Sequence, residues 1–444
     1  MVRAVSRNDS DSVARLGLWP AIALVVGHTI AVGIFVTPAE LIGALASPAL
    51  VIALWAVFGV LVFCGALSFG ELASRHPEAG GPYVFLREAW GERLAFLYGW
   101  QCLLVMDPGV IAALAAGLGE YLSAAWPATA SYSRWLAIGI MWALAAVNAA
   151  GLGVSSRLMS RLTVLKLAAL GGIVGLGFVI GDGSWNNLRP FVARRPGSVP
   201  IGEALALGSV AGFFSFGGFW EASRVAGEVR DPQRTLPRAL AIGVALVATV
   251  YLVTSVAFMY LVPPDKVTSA AVFASLAGEA LFGPSGGQVL ATIVVISIVA
   301  SMMGLLLMAP RVYYAMSRDR LFPNAIARLH PRRGVPDRAT LLLAAVATLY
   351  ASVGTFQQIV SFFICTALAF VALAVAGIVV FRRRAAAPAP FQTPGYPVTP
   401  ALFIALVSGV ILLVLMARPV QALAGIALVL CGIPAHFLSR RNRS

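Results

Sequence analysis

Two short stretches decide how this chain is built: Gly27-His28-Thr29-Ile30-Ala31-Val32-Gly33-Ile34-Phe35 and Phe213-Phe214-Ser215-Phe216-Gly217-Gly218-Phe219. Each lies near the middle of an apolar run and concentrates glycine with small or aromatic side chains. One glycine in a membrane helix usually serves close packing. Two such clusters in matching positions, in the first and the sixth run, point instead to a pair of interrupted helices. An unwound turn frees backbone N–H and C=O groups where there is no water, and each unsatisfied group costs several kcal/mol. A zwitterion satisfies both kinds together. Its carboxylate accepts from the N–H groups that open the outer half-helix, aided by the positive end of the helix dipole, and its ammonium donates to the freed carbonyls.

The rest of the chain supplies the setting. Of 444 residues, 59% are hydrophobic and 11% charged, and the mean hydropathy is +0.88; soluble domains carry roughly 25% charge. The apolar residues fall into runs of about 20, the length that crosses ~30 Å of hydrocarbon. This composition excludes a cytosolic enzyme, a secreted domain and a disordered scaffold. The net charge of +14 lies in short segments between runs, without the dense basic stripe that nucleic acid requires. The four cysteines, Cys64, Cys102, Cys365 and Cys431, sit inside apolar spans and read as small buried hydrophobes. The polar segment 1–15 lacks a cleavable signal pattern, so the first span is expected to persist as an anchor.

Twelve spans are expected, at 16–45, 48–73, 94–124, 135–150, 162–181, 202–226, 239–262, 287–316, 339–354, 356–381, 401–417 and 420–437. With a cytoplasmic N-terminus, 26 of the 32 Lys and Arg residues lie on the inner side. That bias orients the protein and places both termini in the cytoplasm. The expected organisation is a tail (1–15), a five-helix repeat (16–181), a second repeat (202–381), two further helices (401–437) and a short tail (438–444).

Several motifs now accumulate. The first break runs into G-I-F-V-T-P (33–38), span two ends G-A-L-S-F-G-E-L-A (65–73), and A-G-G-P-Y (79–83) follows in the inner loop. Span six reads F-S-F-G-G and continues to G-E-V-R-D-P-Q-R-T-L-P-R-A (227–239); span eight ends A-P-R-V-Y-Y-A-M-S-R-D-R-L-F-P (309–323). The proline-rich segment 391–400 precedes span eleven. Over essentially the whole chain these residues resemble the amino acid–polyamine–organocation superfamily, in particular its L-type amino acid transporter branch. The resemblance implies an all-α polytopic membrane protein with a LeuT-like fold, two inverted five-helix repeats plus two extra helices. It also implies an amino acid held between spans one and six at Ile30, Ala31, Val32 and Gly33 and at Phe214, Ser215, Phe216, Gly217 and Gly218, with Phe214 as an aromatic gate and alternating access as the mechanism. The family usually has Gly-Ser-Gly in the first break, where Ala31-Val32-Gly33 stands here. The backbone donors survive that change, but Val32 lacks a hydroxyl that could assist a carboxylate. The animal branch tethers an accessory glycoprotein through a cysteine between spans three and four; segment 126–133 has none, which argues against a disulfide-linked accessory subunit.

Ionisable residues inside spans are candidate sites because each costs roughly 2.5–3.5 kcal/mol to insert. Lys166 either snorkels to the inner leaflet or, as the resemblance of Thr163-Val164-Leu165-Lys166-Leu167 implies, puts its ammonium where sodium-coupled relatives hold their ion. In that role it ties span one to span eight and can release a proton during transport. Asp107 and Glu221 either bind protons or a cationic substrate side chain, or pair structurally with arginine. His28 adjoins the first break; histidine titrates near neutrality, though a packing role competes. Glu71 and Glu228 are expected to partner loop arginines at the inner gate.

No metal-ligand spacing, nucleotide motif or catalytic constellation is present, so neither an enzyme nor a cofactor nor an ATP-driven pump is expected. The leading expectation is a secondary amino-acid transporter of the cell membrane, sodium-independent and either proton-coupled or exchanging. Neutral substrates are favoured because Phe214, Phe216, Phe219 and Val32 make an apolar, aromatic pocket. The alternatives are a carrier of cationic amino acids or amines, and a non-transporting sensor on the same fold. A major-facilitator architecture would put the heavy inner loop between spans six and seven, whereas it lies at 311–338.

Overall fold

The computed structural model describes residues 16–441 except 31–32, 79, 151, 182, 268, 331–334 and 385–386, with the side chains of 152–163, 228, 270–272, 324, 327 and 437–441 also undescribed. The first apolar run is two helices, α1 (Leu18–Thr29) and α2 (Gly33–Leu45), inclined at 43° to one another. There follow α3 (Pro48–Arg75), the short helix α4 (Pro82–Trp90) and the long span α5 (Glu92–Ala125). Next come α6 (Ser133–Ala150), α7 (Leu152–Val179) and α8 (Ile201–Phe216). The 3₁₀ segment Phe219–Glu228 leads to α9 (Pro232–Leu261), α10 (Ala270–Phe282) and α11 (Gly286–Arg318). The chain finishes with α12 (Asp337–Val353), α13 (Phe356–Arg384), α14 (Val398–Ala417) and α15 (Pro419–His436).

Among the described residues, nine helices are long and apolar enough to cross a membrane, and the bent α1–α2 pair makes a tenth. The other two of the twelve expected runs are α7 and the 17-residue α12. The most extensive helix contacts pair α3 with α9, α5 with α11 and α2 with α8. These are the second, third and first members of the two expected five-helix units, matched with one another.

Prolines and glycines mark where the helices depart from regular geometry. Pro108 has no N–H and its ring crowds the preceding turn, and just before it α5 widens into a π turn over Cys102–Met106. The carbonyl of Leu104, which a regular residue 108 would have bonded, instead accepts from the Tyr350 hydroxyl of α12. Such turns recur at functional sites, and this one presents Asp107. At the second break, α8 ends at Phe216, Gly217 is extended and Gly218 takes a left-handed conformation at φ 103°, which L side chains rarely adopt.

Candidate functional site

The two breaks touch. A Cβ on Gly33 would lie 2.6 Å from the Cα of Ser215, and one on Gly218 would lie 3.4 Å from the His28 carbonyl oxygen. Glycine therefore lets the main chains of the two interrupted spans meet directly. The carbonyls that the breaks release are then claimed one by one, as a water-free interior demands. The Tyr251 hydroxyl of α9 reaches both the Thr29 oxygen (2.7 Å) and the Ser215 oxygen (2.8 Å). The Lys166 ammonium of α7 donates to the Gly27 oxygen at 2.6 Å and to Ser301 Oγ of α11 at 3.3 Å. Only 2% of Lys166 is exposed, so it does not lie along the inner surface. Its contacts join the first span to the eighth. Thr37 bonds both the Ala211 carbonyl and the Ser215 hydroxyl, fastening α2 to α8.

Beside the breaks lies a cavity of about 60 Å³ lined by His28, Asp107, Phe214, Gly217, Gly218, Trp220 and Glu221, with apolar walls from α5, α11 and α13. Phe214 meets Phe356 edge-on at 5.0 Å between ring centroids and Phe363 at 6.4 Å. Phe356 in turn lines a larger opening of about 590 Å³ that contains Glu40, Glu120 and Gln357. The Phe214–Phe356 pair thus stands where the inner cavity and this vestibule approach each other.

Two carboxylates in the cavity lining, Asp107 and Glu221, share a buried arginine. Arg224 Nε lies 2.9 Å from Glu221 Oε2, and its Nη2 lies 3.5 Å from Asp107 Oδ1. Tyr313 of α11 donates to Asp107 Oδ2 at 2.7 Å, and Arg224 also reaches the Tyr98 hydroxyl at 3.3 Å. Asp107 and Glu221, separate candidates in the sequence, are brought together on one guanidinium.

Further hydrogen bonds tie together the segments around 16, 71–87, 224–230, 319 and 382–393. The Arg230 N–H donates to the Leu16 carbonyl at 2.8 Å, and the Gly80 N–H to the Arg224 carbonyl at 3.1 Å. Asp319 accepts from Tyr83 (2.7 Å) and Arg87 (2.6 Å). Burial and then the Asp319 carboxylate hold the Tyr83 phenol well above its ordinary pKa, and hydrogen bonds to Asp319 and Glu88 raise that of Arg87. Glu71 takes two hydrogen bonds from Arg382, at 3.0 and 2.7 Å, and one from the Thr393 N–H at 2.8 Å. The Glu228 side chain lies outside the described residues.

Not every residue singled out from sequence faces the cavity. His28, Asp107, Phe214, Gly217, Gly218 and Glu221 do. Ala31 and Val32 lie outside the described residues. Ile30 is buried in packing, Gly33 abuts Ser215, and Ser215 spends its hydroxyl on Thr37 and Ala211. Phe216 packs against Trp55 and Tyr251, and Phe219 against Phe69 and Trp220. Phe216 points away from the cavity because it lies two helical positions, about 200°, beyond the cavity-lining Phe214, and Phe219 because the left-handed Gly218 redirects the chain before it. Sequence reasoning missed Tyr251, Arg224, Tyr313 and Phe356. The available signals were a tyrosine hydroxyl in mid-span that needs a partner and an arginine three residues after Glu221.

Similarity to known proteins agrees with this architecture. Residues 16–430 match the family described as amino acid permease. The chain is 28% identical to the Asc-type amino acid transporter 1 of Mus musculus, over 95% of this chain and 80% of that one. It is 29% identical to the mouse large neutral amino acids transporter small subunit 2, over 95% and 80%. Against the serine/threonine exchanger SteT of Bacillus subtilis (strain 168) the identity is 24%, covering 98% and 99%. With broken, mutually contacting membrane helices beside a cavity and a family match along almost its whole length, the chain belongs to the amino acid permease family of the amino acid–polyamine–organocation superfamily, and is a multi-span membrane transporter rather than an enzyme.

Proposed function

We propose that this permease is a secondary transporter that moves amino acids by alternating access, holding the α-amino and α-carboxylate groups at the interrupted centres of the first and sixth spans. The observation that carries this reading is the meeting of the two breaks at Gly33–Ser215 and Gly218–His28, with Tyr251 on the released carbonyls, beside a cavity. The first N–H groups of α2 have no partner within their own helix and suit a carboxylate. Phe214 is the outer gate, and the latches around Asp319 and Glu71 are the inner one.

Twelve spans in a LeuT-like arrangement, with two inverted repeats (16–181 and 202–381) and two extra helices, are part of the proposal, as are cytoplasmic termini and a cell-membrane location. The matched packing of α3 with α9 and α5 with α11 supports the repeat. Sodium independence is supported by the Lys166 ammonium, which already supplies a positive charge at the Gly27 carbonyl. Exchange is suggested by the printed name of the SteT relative, and proton coupling is its alternative. Amino acid, lipid and protons are the expected partners, without a disulfide-linked accessory subunit.

The expectation of neutral substrates rested on Phe214, Phe216, Phe219 and Val32. Phe214 lines the cavity, whereas Phe216 and Phe219 do not, and the apolar walls come instead from α5, α11 and α13. A cationic substrate is the second reading, favoured by Asp107 and Glu221 in the same lining. The test is counterflow: purified protein in liposomes preloaded with unlabelled amino acids should accumulate labelled amino acid transiently and saturably. Binding without flux would make the protein a sensor and overturn the carrier reading.

A further inference from the structure

We propose that a recess between the starts of α13 and α15 binds the phosphate group of an anionic membrane phospholipid. The recess is separate from the cavity at the two breaks, and the proposal does not depend on which substrate is transported.

The recess, of about 130 Å³, is lined by Thr355, Gln357, Gln358, Ser361, Arg418 and Gln421. All of these are polar, in a chain that is 59% hydrophobic, and no carboxylate is among them. Glu40, which Gln357 Nε2 meets at 3.2 Å, belongs to the lining of the neighbouring vestibule. Among the described residues, nothing bonds the Arg418 guanidinium, the Gln421 amide or the Ser361 hydroxyl. Ser361 is the most telling, since only 3% of it is exposed. A helical serine often turns its hydroxyl back to the carbonyl four residues earlier, as Ser215 does to Ala211 and Ser301 to Ser297. A buried hydroxyl that lines a recess without making such a bond is set for a ligand.

Backbone electrostatics give the sign of that ligand. The two helices run side by side in the same direction: Ser361 and Gln421 share the recess, and beyond them Gly425 leaves no room for a Cβ against the Phe362 carbonyl. Both N-terminal ends therefore open on the recess, each with the positive end of a helix dipole. Thr355 and Gln358 cap α13 reciprocally: the Gln358 N–H donates to Thr355 Oγ1 at 3.4 Å, and the Thr355 N–H to Gln358 Oε1 at 3.1 Å. Arg418 is the N-cap residue of α15. Its guanidinium thus has partial charges of its own sign for neighbours, and an anion relieves them. Phosphate matches the guanidinium fork with two parallel hydrogen bonds.

The surroundings point to lipid as the source. Leu349 and Val353 at the end of α12, Met416 at the end of α14, and Val420 and Leu423 at the start of α15 are all exposed. They frame the recess with apolar surface that acyl chains would cover while the headgroup sits at Arg418. With one cation and no carboxylate in the lining, a singly negative headgroup fits better than a zwitterion, whose ammonium finds no counter-ion there.

The experiment titrates the full chain, purified in detergent, with short-chain phosphatidylglycerol, short-chain phosphatidylcholine or inorganic phosphate, and follows the thermal unfolding midpoint. Phosphatidylglycerol should raise the midpoint saturably, and at lower concentration than phosphatidylcholine. Arg418→Gln should raise its half-saturating concentration by about 10-fold or more, the worth of one charge-assisted hydrogen bond, and Ser361→Ala by about 3-fold. Arg134→Gln is the control at the same end of the bundle, because that guanidinium already bonds the Ser352 carbonyl; it should leave the titration unchanged. Equal responses to the two lipids, or a phosphatidylglycerol response that Arg418→Gln leaves intact, overturns the proposal. Stabilisation by inorganic phosphate alone also overturns it, since the recess then holds a free anion. The comparison of lipids on the wild type decides even where a variant does not fold. No transported substrate enters the readout, so failure here leaves the transport reading standing.

Discussion

Tyr251→Phe removes one oxygen atom and keeps the ring that packs against Trp55 and Phe216. The lost hydroxyl is the one that lies 2.7 Å from the Thr29 oxygen and 2.8 Å from the Ser215 oxygen. A phenol has a single proton, so it satisfies one carbonyl at a time and polarises the other. Deleting it forfeits a net hydrogen bond of about 1 kcal/mol and leaves a buried acceptor unpaired, a further cost of about 1–3 kcal/mol. The sum, about 2–4 kcal/mol, corresponds to roughly 30- to 1000-fold in the population that keeps both breaks in register. Because those breaks are the proposed binding surface, KM in a proteoliposome uptake assay should rise by at least about 10-fold. Tyr260→Phe is the control, since its ring packs against Phe178 and Trp185 at the helix end. If Tyr251→Phe and Tyr260→Phe share wild-type KM and turnover, the coupling of the two breaks through residue 251 is refuted.

Lys166→Ala should lower turnover by about 10-fold or more while expression holds, because the charge-assisted bond to Gly27 is worth about 1.5–3 kcal/mol; normal kinetics from pH 5.5 to 8 would reduce Lys166 to a structural residue. Phe214→Ala should impair uptake far more than Phe258→Ala, whose ring packs against Phe273 away from the cavity, and equal effects in the flux assay would discard the gate. His76, at the end of α3, has its pKa lowered mainly by burial. Its stabilising contribution is therefore complete above the unfolded value of about 6.5 and is lost as the pH falls from there toward the lower folded value. Thermal unfolding in detergent should show less acid sensitivity between pH 8 and 5.5 for His76→Gln than for the wild type.

Membrane residence was legible because it depends on sums: an apolar run of about 20 residues reads the same whatever surrounds it. The two breaks were legible for a related reason. Glycine clusters in matching runs are a local signal of a main chain that departs from the helix, and α1–α2 and Gly217–Gly218 are where it departs. Lys166 stood out because a cation in an apolar span is expensive wherever it ends up.

Partner choice was not legible. Asp107, Glu221 and Arg224 come from two helices more than a hundred positions apart, and nothing in their local sequence says that they share one contact. Tyr251 has an unremarkable apolar neighbourhood, yet its hydroxyl meets both breaks. Phe216 and Phe219 looked like pocket residues because they cluster with Phe214 around the break, but Phe216, two helical positions beyond Phe214, faces the opposite side, and Phe219, after the left-handed Gly218, packs against Phe69 and Trp220. Sequence alone thus determined that the chain lies in lipid, where its helices fail and which ions are costly, since each of these follows from residues within a few positions of one another. Only the tertiary structure decided which groups repay those costs, because hydrogen bonds and ion pairs in a water-free interior are set by distances between helices, and these emerge only once the whole bundle has packed.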